Sequence, residues 1–306
     1  MTLQRPDLKA LVPLIEELLP GKALQVEMSL CALISGGHIL IEDAPGMGKT
    51  TLAYFMGKIL GLEISRIQFT NDLLPADILG SNIFHPSEGK FIFRRGPLFG
   101  ELILADELNR APAKTQSALL QAMEEKFISI EGEHYPLSPL FSVFATQNPR
   151  GMSGTFALPE SQLDRFLMKF SMGHPPREAE LRLIQASSRR EAIAEIKACF
   201  LPKDLLEWRK AADKVLVSPE IAGYIMRLLE NSRQRSQQRG LSSRAGIDLV
   251  RASKAWAYIN ARDFVLPDDV KFIFPFVAGH RLPLQEQGVK IESEMAREIL
   301  KDVSVL

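Results

Sequence analysis

The sequence predicts an α/β core built on a parallel sheet with two β-hairpin inserts, followed by a helical domain. Three observations carry this prediction. Short apolar runs alternate with helical patterns through the first half of the chain. Two of those runs end in clusters of chemistry-bearing residues, EDAPGMGKTT at 42–51 and ADELNR at 105–110. After about residue 175 the apolar positions repeat almost only at helical spacing. Alternating strands and helices imply parallel pairing through crossover connections, and in such sheets ligands collect at the carboxyl ends of the strands.

The elements follow in order. Leu11, Leu14, Ile15, Leu18 and Leu19 repeat at helical spacing until Pro20-Gly21 stops the run. Ile39–Ile41 is a short buried strand, followed by a glycine loop and a helix from about Lys49 to Leu60. Ile64–Phe69, Leu102–Ala105, Phe141–Thr146 and Leu167–Phe170 supply further strands, with a helix over Ala113–Glu125. Asn82–Arg94 turns at Ser87-Glu88-Gly89, and Phe127–Leu137 turns at Glu131-Gly132-Glu133; both read as hairpins that project from the core. Pro175 and Pro176 mark a boundary, giving a core of 1–175 and a helical domain of 176–306. In the second part, Ser218 caps and Pro219 opens a helix with the stripe Ile221, Tyr224, Ile225, Leu228 and Leu229; Leu266-Pro267-Asp268 opens another.

The chain has 306 residues, enough for two domains, and its 37 basic and 37 acidic residues balance. Bulk charge therefore predicts no polyanionic partner. Cys31 and Cys199 are far apart among apolar neighbours, without metal or disulfide spacing, and read as two buried reduced thiols. No secretory core and no long apolar run appears, which predicts a cytoplasmic protein without membrane insertion.

Binding a nucleoside triphosphate takes backbone N–H donors, a compact cation and a hydroxyl ligand for Mg²⁺. Gly46 and Gly48 let the backbone approach, Lys49 can reach the β and γ phosphates, and Thr50 can hold Mg²⁺ at the start of a helix. Asp43 stands where the strict pattern has its first glycine; aspartate tolerates unusual backbone angles, and Pro45 fixes the next bend. Asp106 and Glu107 at a strand exit can position hydrated Mg²⁺ and polarise an attacking water. By themselves they also fit an N-cap acid with a solvated neighbour. Asn148, in Gln147-Asn148-Pro149, offers an amide to orient that water, or marks a turn. Arg165 reads as a surface charge or as a finger onto a neighbour's γ-phosphate. Arg233, Arg235, Arg239, Arg244 and Arg251 face only Asp248 in their segment, a solvated face or a nucleic-acid patch. Arg244, at a helix start, can fold back onto the phosphates from the second domain.

The strings IEDAPGMGKTTLA, LILADELNRAPAKTQSALLQAMEE, FATQNP, LPESQLDRFLMK and LSSRA, in this order, resemble the MoxR family of AAA+ ATPases. The resemblance implies an AAA+ P-loop NTPase core followed by an α-helical lid. It implies a Walker A over Asp43, Ala44, Pro45, Gly46, Met47, Gly48, Lys49 and Thr50, with Thr51 next, and a Walker B at Asp106 and Glu107. Asn148 matches sensor 1, Arg165 the arginine finger and Arg244 sensor 2. Gly37 and His38 fall where the family's backbone meets adenine, and Arg110 is expected near a neighbouring subunit. Residues 82–94 resemble the helix-2 insert and 127–137 the hairpin before sensor 1.

The expected activity is hydrolysis of ATP with Mg²⁺ bound by Thr50 and Asp106, the nucleotide lying between core and lid, in a homohexamer. The resemblance implies chaperone-like remodelling of protein clients, with a von Willebrand factor A-domain partner. Three rivals stand beside it: a nucleic-acid motor, a chelatase-type motor subunit and a non-hydrolysing scaffold. In the hairpins Lys90, Arg94, Arg95 and Lys126 are interrupted by Glu88, Glu131 and Glu133, so no continuous basic track marks the first rival. The intact Lys49, Asp106 and Glu107 argue against the last.

Overall fold

Buried apolar strands organise the molecule. A computed structural model describes residues 5–148, 156, 158–185, 193, 195–235, 240–282 and 294–305. Helices α1 (Leu8–Leu18) and α2 (Ala23–Ile34) precede β1 (Ile39–Glu42), α3 (Lys49–Ile59), β2 (Ile64–Gln68) and the short α4 (Pro75–Leu79). Then come the hairpin β3 (Gly80–His85) and β4 (Lys90–Arg95), β5 (Leu102–Asp106), a 3₁₀ turn Leu108–Arg110 and α5 (Ala113–Glu125). The second hairpin, β6 (Phe127–Ile130) and β7 (Glu133–Pro136), leads to β8 (Ser142–Gln147), α6 (Glu160–Leu163) and β9 (Met168–Phe170). Helices α7 (Arg177–Gln185), α8 (Pro202–Asp213), α9 (Pro219–Arg235), α10 (Ser243–Ile259), α11 (Pro267–Ala278) and α12 (Glu294–Asp302) complete the described chain.

The five-stranded sheet runs β2-β5-β8-β1-β9, and every pairing in it is parallel. All strand exits therefore lie along one edge. Ile39 pairs with Phe144 and Ile64 with Leu102, so the ends of β1, β5 and β8 stand side by side. The hairpins form two-stranded sheets of their own, as their turn residues predict. They are joined to each other: Phe93 stacks on Tyr135 with ring centres 4.2 Å apart, and Asn82 donates to Glu131 at 2.7 Å. Ile83, Phe84 and Phe91 of the first hairpin are exposed.

Two apolar clusters fill the faces of the sheet. One packs α4, α5 and the second hairpin against it through Ile103, Leu119 and Phe141. The other holds α1, α2 and α3 and continues without a break into the helices after residue 200, through Trp208, Tyr224, Leu249 and Phe274. The helical part thus shares its core with the N-terminal helices. Cys31 is buried there, its Sγ 3.4 Å from the Ala252 carbonyl oxygen, and burial pushes the thiol well up. Cys199 corrects the expectation of a second buried thiol, for it is exposed. Its segment is irregular, and Phe200 turns inward onto Trp208, leaving the preceding side chain outside. Among the described residues no helix is long and apolar enough to cross a membrane.

Candidate functional site

The phosphate loop leaves β1 at Asp43 and re-enters helix at Lys49. Gly46 and Gly48 sit at φ 84° and 86°, a left-handed region that disfavours side chains, which explains both glycines. Asp43 is not among the left-handed residues, so glycine's freedom is not needed there. Its carboxylate accepts the N–H of Ala44 and the N–H of Gly173, each at 2.8 Å. No side chain caps α3, and its first turn holds no acid, so the positive helix end faces the loop uncompensated. The buried Lys49 ammonium donates to the carbonyl oxygens of Asp43 and Ala44. Burial lowers its proton affinity, while the carboxylates of Asp43, Asp106, Glu107 and Glu42 pull it back.

The acidic pair lies next door because β5 ends beside β8, with β1 on the far side of β8. Asp106 Oδ2 is 3.5 Å from the Thr50 hydroxyl and 2.8 Å from Arg66. Asp106 Oδ1 accepts the Thr146 hydroxyl at 2.7 Å, and the same hydroxyl oxygen accepts the Glu107 N–H at 2.9 Å. Glu107 is held at φ 55°, a left-handed conformation for a residue with a side chain. That turn aims its carboxylate at Asn148 Nδ2 (3.3 Å), Gln68 Nε2 (3.2 Å) and Arg110 (2.9 Å). The Asn148 backbone is in turn clasped by Asn109, whose amide meets its carbonyl at 3.1 Å. Pro149 and Arg239 lie outside the described residues.

The structure therefore gathers Asp43, Ala44, Gly46, Gly48, Lys49, Thr50, Asp106, Glu107 and Asn148 along one edge of the sheet. It does not bring Gly37 and His38 there. They precede β1, with His38 five residue steps and about 16 Å from Asp43 at strand rise. His38 is buried, with Nδ1 accepting the Val143 N–H at 2.9 Å and Nε2 2.9 Å from Lys126 Nζ. It remains neutral well below the ordinary histidine range, chiefly through burial and then through Lys126. A side chain at Gly37 would meet Leu167 at 2.4 Å, so close packing accounts for that glycine. Both residues thus have a packing role at that edge.

Arg165 and Arg244 meet at that same far edge. Arg165 immediately precedes the β9 segment, and Glu124 ends α5, which runs back from the acidic pair for about 20 Å. Glu124 accepts Arg244 at 2.7 and 2.9 Å and lies 3.6 Å from Arg165. Arg244 does not fold back onto its own loop: a parallel strand and a whole helix separate the two. Two other arginines of its segment are engaged too. Arg233 bonds the Leu241 carbonyl at 3.0 Å, and Arg235 pairs with Glu298 and Asp302, so they form no free basic face.

The sequence singles out none of Arg66, Gln68, Asn109, Glu124, Thr146 and Arg281, which complete this constellation. Arg281 is almost fully buried and binds Asp164, Asp248 and the Phe166 carbonyl, fixing the turn that presents Arg165. An arginine of this kind, so far along the chain from its partners, leaves no local signal. Thr146, the last threonine of a buried strand ending in polar residues, does offer one.

Comparisons with known proteins agree with this geometry. The family profile described as "ATPase family associated with various cellular activities (AAA)" matches residues 38–168, and the AAA lid domain matches 230–303. The uncharacterised protein YeaC of Bacillus subtilis is 39% identical over 98% of this chain and 95% of its own. Chaperone MoxR1 of Mycobacterium tuberculosis is 37% identical over 94% of this chain and 78% of its own. A crystal structure of an ATPase candidate from Cytophaga hutchinsonii superposes with a TM-score of 0.84 at 36% identity, covering 97% and 94% of the two chains.

Proposed function

Since the chain belongs to the MoxR family of AAA+ ATPases, we propose that it hydrolyses ATP with Mg²⁺ in a ring of identical subunits and uses the cycle to remodel protein clients. The observation that carries the reading is the convergence of Lys49, Thr50, Asp106, Glu107 and Asn148 at neighbouring strand ends. The donor set fits the expected ligands: a hydroxyl and a carboxylate 3.5 Å apart for a hard cation, an uncapped helix start and a buried ammonium for phosphates. Thr50 and Asp106 would hold Mg²⁺, which when bound supplies charge neutralisation to the phosphates.

Lys49 neutralises phosphate charge and leaves the loop carbonyls to do so. Glu107 accepts a proton from water, and Asn148 keeps that carboxylate and the water aligned. Glu107 is turned toward this task by its left-handed backbone and by Thr146. Arg165 and Arg244 cannot serve their own loop from the far edge, so both act on the adjoining subunit's nucleotide. An arginine supplied in this way is worth on the order of 10³ to 10⁵ in rate. A homohexamer and a von Willebrand factor A-domain partner are proposed on the family resemblance. Chaperone-like work is supported by the printed name of the mycobacterial relative, and the exposed Phe84 and Phe91 offer clients an apolar surface.

Mixing two inactive proteins tests the assignment. Lys49→Ala abolishes nucleotide binding, and Arg165→Ala binds but hydrolyses poorly. Mixed, they form interfaces with an intact loop on one side and an intact finger on the other, and part of the activity returns. Absence of rescue at every ratio, with a specific rate unchanged by dilution, would remove the role in trans.

A further inference from the structure

We propose that Asp43 is a positioning residue that ties the phosphate loop to the linker between the core and the helical part. The proposal rests on the reading of the loop as a nucleotide site. Asp43 occupies the place of a glycine in the strict pattern, yet its backbone makes no use of glycine's freedom. Its side chain is buried, and each carboxylate oxygen has a backbone donor: Oδ1 takes the Ala44 N–H and Oδ2 takes the Gly173 N–H, both at 2.8 Å. Gly173 lies between β9 and α7, at φ 63°, where the chain turns out of the sheet toward the helices.

The same stretch of linker is gripped from the opposite side. Lys22 Nζ donates to the carbonyl oxygens of Gly173 and Met172 at 2.7 and 2.8 Å. Gln25 Nε2 donates to those of Met172 and Ser171 at 3.1 and 3.2 Å. Gly21 packs on Pro176 so closely that a side chain there would meet its ring at 2.5 Å. The linker is thus held at its carbonyls by Lys22, just before α2, and Gln25 in its first turn, and by Asp43 at its N–H. Since α2 belongs to the apolar cluster that continues into the helical part, this clamp sits where a change of angle begins.

Asp43 also faces the catalytic lysine. Lys49 Nζ donates to its carbonyl oxygen, while its carboxylate holds the linker. Phosphates compete for that ammonium; when they take it, the Asp43 peptide loses a charged donor and is free to rotate. The carboxylate on the same residue passes the rotation to Gly173. A glycine at 43 would allow phosphate binding and leave the linker uninformed. Lys22 and Lys49 both sit close enough for the Asp43 carboxylate to raise their proton affinity against burial.

Hydrogen exchange across residues 171–174, in the full chain, tests the tie with and without MgADP. Calorimetry measures MgADP binding in parallel. For Asp43→Gly, which restores the strict loop pattern, calorimetry sets the MgADP concentration that saturates the loop in the exchange experiment. Without nucleotide, exchange at the Gly173 amide rises about tenfold, the loss of one charge-assisted bond. MgADP alters that exchange in the wild type and leaves the variant unmoved; kcat falls while KM stays. Asp43→Asn, which keeps one acceptor oxygen, gives intermediate exchange and serves if the glycine variant does not fold. Equal exchange in wild type and variants without nucleotide overturns the tie. An equal response to MgADP overturns the coupling. A wild type that binds no MgADP retires the nucleotide-site reading instead, and the nucleotide-free comparison still decides the Asp43–Gly173 bond.

Discussion

Replacing Thr146 by valine removes one hydroxyl and almost no volume, and it strikes the acidic pair from behind. Thr146 is fully buried on β8. Its hydroxyl donates to Asp106 at 2.7 Å and accepts the Glu107 N–H at 2.9 Å. Valine leaves a buried N–H without a partner, which costs roughly 1–3 kcal/mol, and removes a bond to a charged oxygen, worth about 1.5–3 kcal/mol. Relaxation of the turn recovers part of this, because Glu107 at φ 55° gives up a strained conformation. A net loss of about 3 kcal/mol follows, near 5 °C in melting temperature for a chain of this size at about 2 cal/mol/K per residue. Thermal and urea unfolding of Thr146→Val and Thr146→Ser measure it, with nucleotide binding and ATPase rate on the same samples. The valine variant binds MgATP with little change but turns over at least tenfold more slowly, since Glu107 is no longer aimed. Serine, which keeps the hydroxyl, stays near wild type. A valine variant as stable and as active as the serine one would refute the claim that this hydroxyl positions the pair.

Two further outcomes are expected. Glu107→Gln keeps MgATP affinity and loses turnover by about 10²–10⁴-fold, the usual contribution of a general base; retained turnover in a steady-state assay removes that role. The buried histidines set an acid limit. His38 and His280 are held neutral well below the ordinary 6.5, chiefly by burial and then by Lys126 and Arg281 respectively. The unfolded chain takes up protons that the folded chain refuses, so this contribution to stability is complete well above pH 6.5 and drains as pH falls, by about 1 kcal/mol for each histidine between pH 6.5 and 5.5. Urea unfolding between pH 6.5 and 5.5 should show that slope, and His280→Gln, which keeps a donor for the Phe166 carbonyl, should remove about half. An unchanged slope would show that His280 accepts its proton in the fold.

How much of this was written in the chain depends on the distance over which each feature is decided. The loop, its helix and the strand before it are local: Gly46, Gly48 and Lys49 announce their backbone and chemistry within ten residues. The hairpins are equally local, since Gly89 and Gly132 mark their turns, both at positive φ. The helix expected near Ala113 to Glu125 is α5, bounded in the structure by Pro112 and by a left-handed Lys126. What periodicity does not contain is lateral order. Gly37 and His38 are tied to adenine only by the family resemblance, and strand β1 sets them at the other edge from the loop. A helix start says nothing of which edge it meets; the fold sets Arg244 beside Arg165 on Glu124. Cys199 was read as buried from apolar neighbours, in a segment with no regular period to say which side chains turn in. Arg66, Arg281 and the Asp43–Gly173 bond depend on partners tens to more than a hundred positions away, and no window along the chain reveals them.

The stacking of Phe93 on Tyr135 has a mechanical outcome. One hairpin runs directly into the strand that ends at Asp106, and the other emerges from the helix that starts just past Arg110. The acidic pair is thus bracketed along the polypeptide by two arms fastened together, the turn of the second lying against the base of the first at Asn82 and Phe93. Truncating Phe93 or Tyr135 therefore strips packing from both arms at once.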